Sequence, residues 1–200
     1  MKNILFNDHH DLTELVILLL KDQTRRIADI PQKMKSHWRI GDRLEIESPT
    51  VIRWVRIDGC PVMKLYPRYE VGEVVAVAQS YEVLERTGFA IFVSDYSEKD
   101  AGWRNKMFVS PDAMPNVIRI TGVRAERLQD ISEKDCVREG VRYLSPLKMY
   151  YFECRKKDQG FYFSTAREAY SSLIDKISGK GTWESNPLVW VYDFELITNK

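Results

Sequence analysis

The sequence predicts an α+β fold, and three observations lead to that prediction. Several segments alternate apolar and polar residues with the period of a β-strand, and turn signals separate them. Other segments carry apolar residues at helical spacing. The strands and helices do not alternate regularly, which argues against a doubly wound parallel sheet. We expect one domain over residues 1–200, with residues 143–160 as a candidate insertion.

The N-terminal part of the chain predicts one strand and one helix. The apolar run 4–6 predicts the strand. Asp11 and Glu14 form a capping-box pattern that starts the helix, which should end near Lys21. The predicted apolar face of this helix consists of Leu12, Leu15, Val16 and Leu19. The segment 21–26 then lies at a corner between the helix and the next strand.

The middle of the chain predicts mostly strands. Asp58 and Gly59 are the turn signal of a β-hairpin. Residues 94–106 are polar and predict a surface loop, in which we expect Trp103 to be exposed. The predicted strands are 44–47, 51–57, 62–65, 74–78 and 90–93. The segment 74–78 is almost wholly apolar, which is typical of a strand buried on both faces.

The C-terminal part predicts two helices, so that about three helices flank the strands. Ser132 and Asp135 open a short helix, whereas Thr165 and Glu168 open a longer amphipathic helix that ends at Gly179. The predicted strands are 117–127, 161–163 and 188–197. The apolar face of the last strand, which we expect in the core, consists of Leu188, Trp190, Tyr192, Phe194 and Leu196.

Composition bounds the class of protein. The hydrophobic fraction of 44% is enough for a sizeable core, which argues against wholesale disorder. Thirty basic and 29 acidic residues give a net charge of +1. This balance argues against a strongly basic protein that coats long nucleic acid, but it permits a local basic patch.

The cysteines and histidines predict neither a disulfide framework nor a metal site. The three cysteines are widely spaced, odd in number and without a CxxC pair, and the three histidines do not complete a metal-ligand spacing. We therefore expect reduced thiols in the cytoplasm, no metal and no cofactor. These residues are Cys60, Cys136, Cys154, His9, His10 and His37.

Membrane and export signals are not evident in the sequence. The apolar run 15–20 is only six residues long and follows several acidic residues. A signal peptide needs a longer apolar centre, and a membrane span needs about twenty apolar residues. We expect a soluble protein without a membrane partner.

A basic segment follows the first predicted helix. Residues 21–43 contain seven basic and three acidic side chains, a net charge of +4. Such a patch in a neutral protein suits a short anionic ligand, because phosphate contacts are mainly electrostatic. The alternative is that cations at the end of a helix are favoured by its dipole and are simply solvated.

Several motifs together resemble the ASCH domain family, in particular its phage and prophage-type members. Lys21-x-Gln23-Thr24-Arg25-Arg26 is similar to the Lys-Thr-x-Thr-x-Arg signature of that family. Further resemblance lies in the stretches 72–81, 114–132 and 186–195, of which 126–132 is the most specific. The resemblance implies a PUA-like small mixed β-barrel and an RNA-related role.

The resemblance also implies candidate catalytic residues. Some small members of the family are amidohydrolases that remove the acetyl group from N(4)-acetylcytidine with a lysine, a threonine and a glutamate. By motif these fall on Lys21, Thr24 and Glu139. Ribonuclease activity has also been attributed to members of the family. This chain departs from the small hydrolases in its length, in Asp22, where they have threonine, and in Leu19, where a glycine usually precedes the lysine.

The chemistry of such a site is coherent. Amide hydrolysis needs a nucleophile, a base and stabilisation of the oxyanion. Thr24 would be the nucleophile, Lys21 the base if burial lowers its pKa, and Glu139 the proton carrier. Arg26 could hold a phosphate or the developing charge. The alternative is an ordinary ion pair between Lys21 and Glu139, with Thr24 serving the backbone at the corner.

Three hypotheses follow from the motifs. The first is a domain that binds RNA or a modified nucleoside, and the second is an amidohydrolase acting on an acylated cytidine. The third is a protein-interaction module of a phage or mobile element, which a large separation of Lys21 and Glu139 would favour. Aromatic side chains can stack on bases, so Tyr81 and Trp103 are candidate platforms. The alternatives are a core or rim position for Tyr81 and packing of Trp103 back onto the barrel. The predicted ligand-binding residues are Gln23, Arg25, Arg26, Ser80, Tyr81 and Trp103.

Overall fold

The computed structural model describes residues 1–153 and 162–198 and confirms the α+β class. The strands are β1 Lys2–Ile4, β2 Gln23–Ile27, β3 Arg43–Ser48, β4 Val51–Val55, β5 Pro61–Leu65, β6 Val74–Val77, β7 Asn116–Arg127, β8 Arg142–Leu144, β9 Met149–Tyr151, β10 Tyr162–Phe163 and β11 Leu188–Thr198. The α-helices are α1 Leu12–Ile17, α2 Tyr81–Arg86, α3 Glu133–Arg138, α4 Ala166–Ser178 and α5 Thr182–Ser185.

A five-stranded sheet forms the centre of the fold, in the order β1-β6-β7-β11-β2. Only the β1–β6 pair is parallel among these strands. The two longest strands, β7 and β11, pair along their whole length, with a shift of register between Asp193 and Phe194 that leaves Thr121 as the extra residue of a bulge. The pairing of the described strands leaves β1 and β2 at the edges of this sheet.

The strand β11 is buried on both faces because the sheet separates two cores. Trp190, Tyr192 and Phe194 face a core that includes residues of α1 and of the small sheet β3-β4-β5. Val189 and Val191 face a second core with α3 and α4. The predicted apolar face of β11 is therefore confirmed. Burying each such side chain contributes about 1.5–3 kcal/mol to folding.

The small sheet covers one face of the central sheet. Its Ile52 and Trp54 are fully buried in the first core. The Ala125 N–H of β7 donates to the Pro49 carbonyl at the β3–β4 turn over 2.7 Å, which links the two sheets directly. The third sheet has the order β10-β9-β8 and lies beside α4.

Two predicted helix starts are confirmed. The Ser132 hydroxyl accepts a hydrogen bond from the Asp135 N–H over 3.1 Å and caps α3. Thr165 and Glu168 form a complete capping box on α4, which ends at Gly179 as predicted. Polar residues at helix starts satisfy backbone N–H groups locally, so their effect is readable from sequence.

The predicted start and apolar face of α1 are partly wrong. Asp11 has φ 51° and its side chain makes no capping bond. The helix ends at Ile17, and Leu19 is 72% exposed with φ 59° instead of lying in the core. The reason is a sharp reversal of the chain, because the N–H groups of Leu20 and Lys21 both donate to the Leu15 carbonyl. This reversal directs Lys21 into the protein.

Other predictions also need correction. Residues 90–93 form a 3-10 helix and not a strand, and α2 and α5 were not predicted. Trp103 is only 8% exposed, so the predicted exposure is wrong. The segment 94–106 folds back onto α2 and β6, and its tryptophan joins an apolar cluster there. The candidate insertion begins with the β8–β9 hairpin, and its residues 154–160 lie outside the described residues.

Within residues 1–153 and 162–198, no helix is both long and apolar enough to cross a membrane. The same ranges contain no group of three or more His, Cys, Asp or Glu side chains that could hold a metal ion. Cys60 and Cys136 are unpaired thiols there, and Cys154 lies outside the described residues.

Candidate functional site

A cleft of about 320 Å³ lies beside the edge strand β2, between α1 and α4. Successive side chains of a strand point to opposite faces, so Gln23 and Arg25 lie on one face of β2 and Thr24 and Arg26 on the other. The polar side chains that line the cleft are Asn7, Lys21, Thr24, Arg25, Arg26, Glu139, Tyr170 and Ser178. The remaining lining side chains are apolar.

Lys21 and Glu139 form a buried ion pair at the base of this cleft. The Lys21 Nζ donates to Glu139 Oε2 and to the carbonyls of Glu139 and Gln23, each over 2.7 Å. The Lys21 side chain is 1% exposed. Burial lowers the pKa of Lys21 even though Glu139 opposes that shift. The two residues therefore meet, as both the catalytic hypothesis and the alternative of an ordinary ion pair require.

The position of Glu139 depends on the glycine that follows it. Glu139 is the C-cap residue that directly follows α3, and the next residue, Gly140, has φ 109°. A Cβ on Gly140 would come within 3.0 Å of the Leu15 side chain. Gly140 therefore permits both the left-handed backbone and the close approach of α3 to α1.

Arg25 holds the second oxygen of Glu139. Its Nη1 donates to Glu139 Oε1 over 3.1 Å and to the side-chain carbonyl of Gln23 over 2.6 Å. Its Nε donates to Glu126 over 2.8 Å. Because the Arg25 side chain is fully buried, these contacts fix the carboxylate of Glu139 firmly. Gln23 is held in turn by Asp193 over 2.7 Å.

A network of surface ion pairs supports Arg25 and Gln23 from outside. Arg124 contacts Glu126, Asp135 and Asp193, and Arg138 contacts Asp135, Asp193 and Asp22. Sequence reasoning missed Arg124, Glu126, Arg138 and Asp193. The spacing of Arg124 and Glu126 on one face of β7 was a signal, but the packing that brings Asp193 of β11 and Arg138 of α3 to them is a property of the tertiary fold.

Arg26 differs from the other cations of the site. It is half-buried, its Nη2 donates to the Leu5 carbonyl, and its guanidinium lies 5.6 Å from the centre of the Phe6 ring. No carboxylate of the described residues lies within ion-pair distance of it. Burial lowers the pKa of Arg26, but an arginine remains charged at neutral pH.

Thr24 also lies in the cleft. It is 5% exposed and pairs with Tyr192 of β11 in the sheet. Its hydroxyl has no hydrogen-bond partner within residues 1–153 and 162–198. The structure thus brings Lys21, Thr24, Arg25, Arg26 and Glu139 to one cleft, as the motifs predicted, while Gln23 lies behind Arg25.

The other three predicted ligand-binding residues lie away from this cleft. Tyr81 is 2% exposed, stacks on Tyr96 with ring centres 4.0 Å apart, and its hydroxyl accepts a hydrogen bond from the Ser110 N–H. Trp103 packs in the same apolar cluster. Both rings are used for packing, which corrects the expectation that they offer open faces. Ser80 lines a different cleft beside α2.

Family models, curated proteins and solved structures were compared with this chain, and none of them matches it. The resemblance to ASCH domains therefore rests on the sequence motifs described above.

Proposed function

We propose that this protein binds RNA or a modified nucleoside in the cleft beside β2. The observation that carries the proposal is Arg26, a half-buried cation that lines the cleft and has no carboxylate partner among the described residues. Withdrawing a cation from water costs free energy unless an anion or hydrogen-bond acceptors compensate. The Leu5 carbonyl accepts one hydrogen bond from Arg26, and a phosphate bound beside it would balance the charge and use further planar donors of the guanidinium.

The charge and size of the cleft agree with this ligand class. Its lining contains three cations, Lys21, Arg25 and Arg26, and one carboxylate, Glu139. A volume of about 320 Å³ lies at the small end of ligand sites, which range over about 300–1,000 Å³. A nucleoside or one nucleotide of a chain suits such a space better than a larger folded ligand.

The proposal includes the PUA-like fold and a cytoplasmic location. One apolar core enclosed by two sheets, which the Ala125–Pro49 hydrogen bond links, supports a barrel-like arrangement. The unpaired thiols of Cys60 and Cys136 support a reducing compartment. The assignment to the ASCH family itself stays a prediction from the motifs.

A second candidate function is hydrolysis of an acylated cytidine. It is favoured by the contact between Lys21 and Glu139 and by the unbonded hydroxyl of Thr24 in the same cleft. The Thr24 oxygen would attack the acyl carbon while neutral Lys21 takes its proton. As the C–N bond breaks, that proton would pass through Glu139 to the leaving nitrogen, so that cytidine departs as a neutral amine. Water would then release the acyl group from Thr24.

The hydrogen bonds of Lys21 set a condition on this chemistry. Three acceptors at 2.7 Å take all three protons of its ammonium group. Lys21 can act as a base only after one proton has left, for which Glu139 is the adjacent acceptor. The lowered pKa of Lys21 works in this direction. Binding needs no such step, and we therefore place binding first.

The third hypothesis, a protein-interaction module, is less well supported. It would be favoured by a separation of Lys21 and Glu139, but these residues are in direct contact. A buried ion pair can also be purely structural, so experiments on this site need variants that separate folding from binding.

Binding would be tested by fluorescence anisotropy with short single-stranded RNA and with N(4)-acetylcytidine as competitor, at 50 and 200 mM salt. We expect salt-sensitive binding that Arg26→Ala weakens, with a reduction of the salt slope by about one. Arg127→Ala is the matched control, because it removes the same charge at an exposed position that does not line the cleft. Equal affinities of Arg26→Ala and Arg127→Ala for every probe would refute the proposal.

Hydrolysis would be tested by incubation with N(4)-acetylcytidine and separation of the products by mass-resolved chromatography. Conversion to cytidine by the wild type, with loss in Thr24→Ala and Lys21→Met, would establish the second candidate function. No conversion by folded wild type would leave the cleft as a binding site.

A further inference from the structure

A second cleft, of about 400 Å³, lies between α1, α2 and the start of β7. Its apolar walls are formed by Ile17, Leu18, Val83 and Phe89. Ser80, a residue that the motifs singled out, also lines it. The proposed function does not use this cleft.

The polar groups of the second cleft centre on a pair of buried amides. Gln79 and Asn116 are 8% and 5% exposed, and the Asn116 Nδ2 donates to the Gln79 side-chain carbonyl over 3.0 Å. This bond uses one donor of one amide and the acceptor of the other. In either orientation of the pair, one NH₂ group and one carbonyl remain without a partner among the described residues.

An adjacent donor and acceptor match the hydrogen-bonding edge of a nucleobase. Asn and Gln side chains read bases through such donor–acceptor pairs, and unpaired bases in RNA present their edges for this purpose. The amides lie in a cleft with apolar walls that include the ring of Phe89, which suits the faces of a planar base.

The charges around the second cleft are balanced. Asp8 is neutralised by Lys106 over 2.8 Å, and Thr13 bridges both of them. Glu14 and Arg86 are exposed on the lining, and Arg86 has no ion-pair partner within the described ranges. A neutral interior with one available cation suits a base that carries its phosphate outside.

The two clefts lie on opposite faces of α1. Leu12 lines the first cleft, whereas Thr13, Glu14 and Ile17 line the second. At 100° per residue, Leu12 is on the side of the helix opposite to these three. The clefts are therefore separated by about one helix diameter, about 10 Å.

We infer that the second cleft binds a nucleobase through Gln79 and Asn116, with Arg86 on the adjoining phosphate. This inference rests on the proposed function and extends it, because the ligand becomes a single-stranded RNA of more than one nucleotide. The first cleft supplies sequence-independent affinity through its cations, and the second supplies preference among bases.

The test measures affinities for the four labelled RNA homohexamers by fluorescence anisotropy. Gln79→Glu replaces an amide donor by an acceptor at constant size, so we expect the ratio of affinities among the homohexamers to change about fivefold or more. Gln32→Glu adds the same charge at an exposed position outside both clefts and should leave the ratios unchanged. Arg26→Ala should weaken all four hexamers by a similar factor.

Arg86→Ala is a second test of the inference. Because Arg86 is exposed, its substitution should not impair folding. It should weaken hexamer binding several-fold relative to Arg127→Ala, without changing the affinity for N(4)-acetylcytidine. Unchanged ratios in Gln79→Glu together with unchanged affinity in Arg86→Ala would overturn the inference, while an effect of Arg26→Ala would preserve the proposed function. If the wild type binds N(4)-acetylcytidine but none of the hexamers, the inference is likewise overturned and the proposed function is preserved. If the wild type binds neither, both proposals fail.

Discussion

The two clefts on either side of α1 satisfy their polar groups in different ways. In the first, Lys21 and Arg25 share the carboxylate of Glu139, and only Arg26 lacks a carboxylate partner among the described residues. In the second cleft, the polar interior consists of two neutral amides, Gln79 and Asn116, that share one hydrogen bond. Buried charges need partners far more than buried amides do. The first cleft is therefore built by its ion pairs, while the second is built by apolar packing around two amides.

This difference predicts which substitutions unfold the protein and which alter only a ligand site. Removing Glu139 from the first cleft leaves the buried charge of Lys21 without its carboxylate partner. Around the second cleft, the cost of a substitution depends mainly on space.

The largest effect is expected for Glu139→Leu. The substitution leaves Lys21 buried without a carboxylate and removes one partner of Arg25, so the free energy of unfolding should fall by about 3–5 kcal/mol. Urea unfolding followed by circular dichroism measures this. Asp22→Asn, which affects an exposed pair with Arg138, should cost less than about 1 kcal/mol. The double variant Lys21→Met with Glu139→Leu should recover much of the loss, and a purely additive loss would contradict the contrast.

A smaller effect is expected for Gly102→Ala, at the packed aromatic cluster beside α2. An added Cβ would lie 2.5 Å from the Tyr81 ring, which is fixed by Tyr96 and by the hydrogen bond at its hydroxyl. Overpacking of this kind costs about 1–3 kcal/mol. The exposed neighbour Ala101→Ser is the control and should change stability by less than about 0.5 kcal/mol. Equal melting temperatures for the two variants would show that the cluster is loosely packed.

The stability of the first cleft should depend on alkaline pH through Lys21. Burial lowers the pKa of Lys21 below the unfolded value of about 10.4, so the unfolded chain binds more protons than the folded chain between these two pKa values. The free energy of unfolding of the wild type, relative to Lys21→Met, should therefore increase as the pH rises toward 10.4. Urea titrations of both proteins at several pH values measure this difference. A difference that does not change with pH would show that the pKa of Lys21 is not lowered.

The smallest effect is expected at the corner that leads into the first cleft. Leu19 has φ 59° and is 72% exposed, so it stores strain without a compensating apolar contact. The left-handed conformation costs a residue with a Cβ about 1–2 kcal/mol, and Leu19→Gly removes this cost. Glycine also increases the conformational entropy of the unfolded chain, which offsets part of the stabilisation. The free energy of unfolding should therefore rise by about 0.5–1 kcal/mol. Leu20→Gly, at an ordinary φ, should instead lower it by a similar amount. Thermal unfolding distinguishes the two, and a loss of stability in both variants would refute the assignment of strain.

The same corner shows how far the sequence predicts the site. The basic motif and the capping pattern at Ser132 placed Lys21, Thr24 and Glu139 at the ends of local elements, and they meet in the structure. Leu19 occupies the position where the ASCH motif usually has glycine, and its backbone adopts the conformation that glycine favours. The sequence left open whether the missing glycine changes the backbone of the corner, and in the structure Leu19 itself adopts the left-handed conformation.

What the sequence by itself determined is local: the alternation of β11 and the caps of α3 and α4. These follow from hydrogen bonds and side-chain periods within a few residues. The tertiary structure alone decided that Trp103 and Tyr81 are buried and that Arg25 reaches Glu139 through a network across β7 and β11. The burial of a side chain and the register of distant strands depend on which surfaces pack together, and no local pattern carries that information.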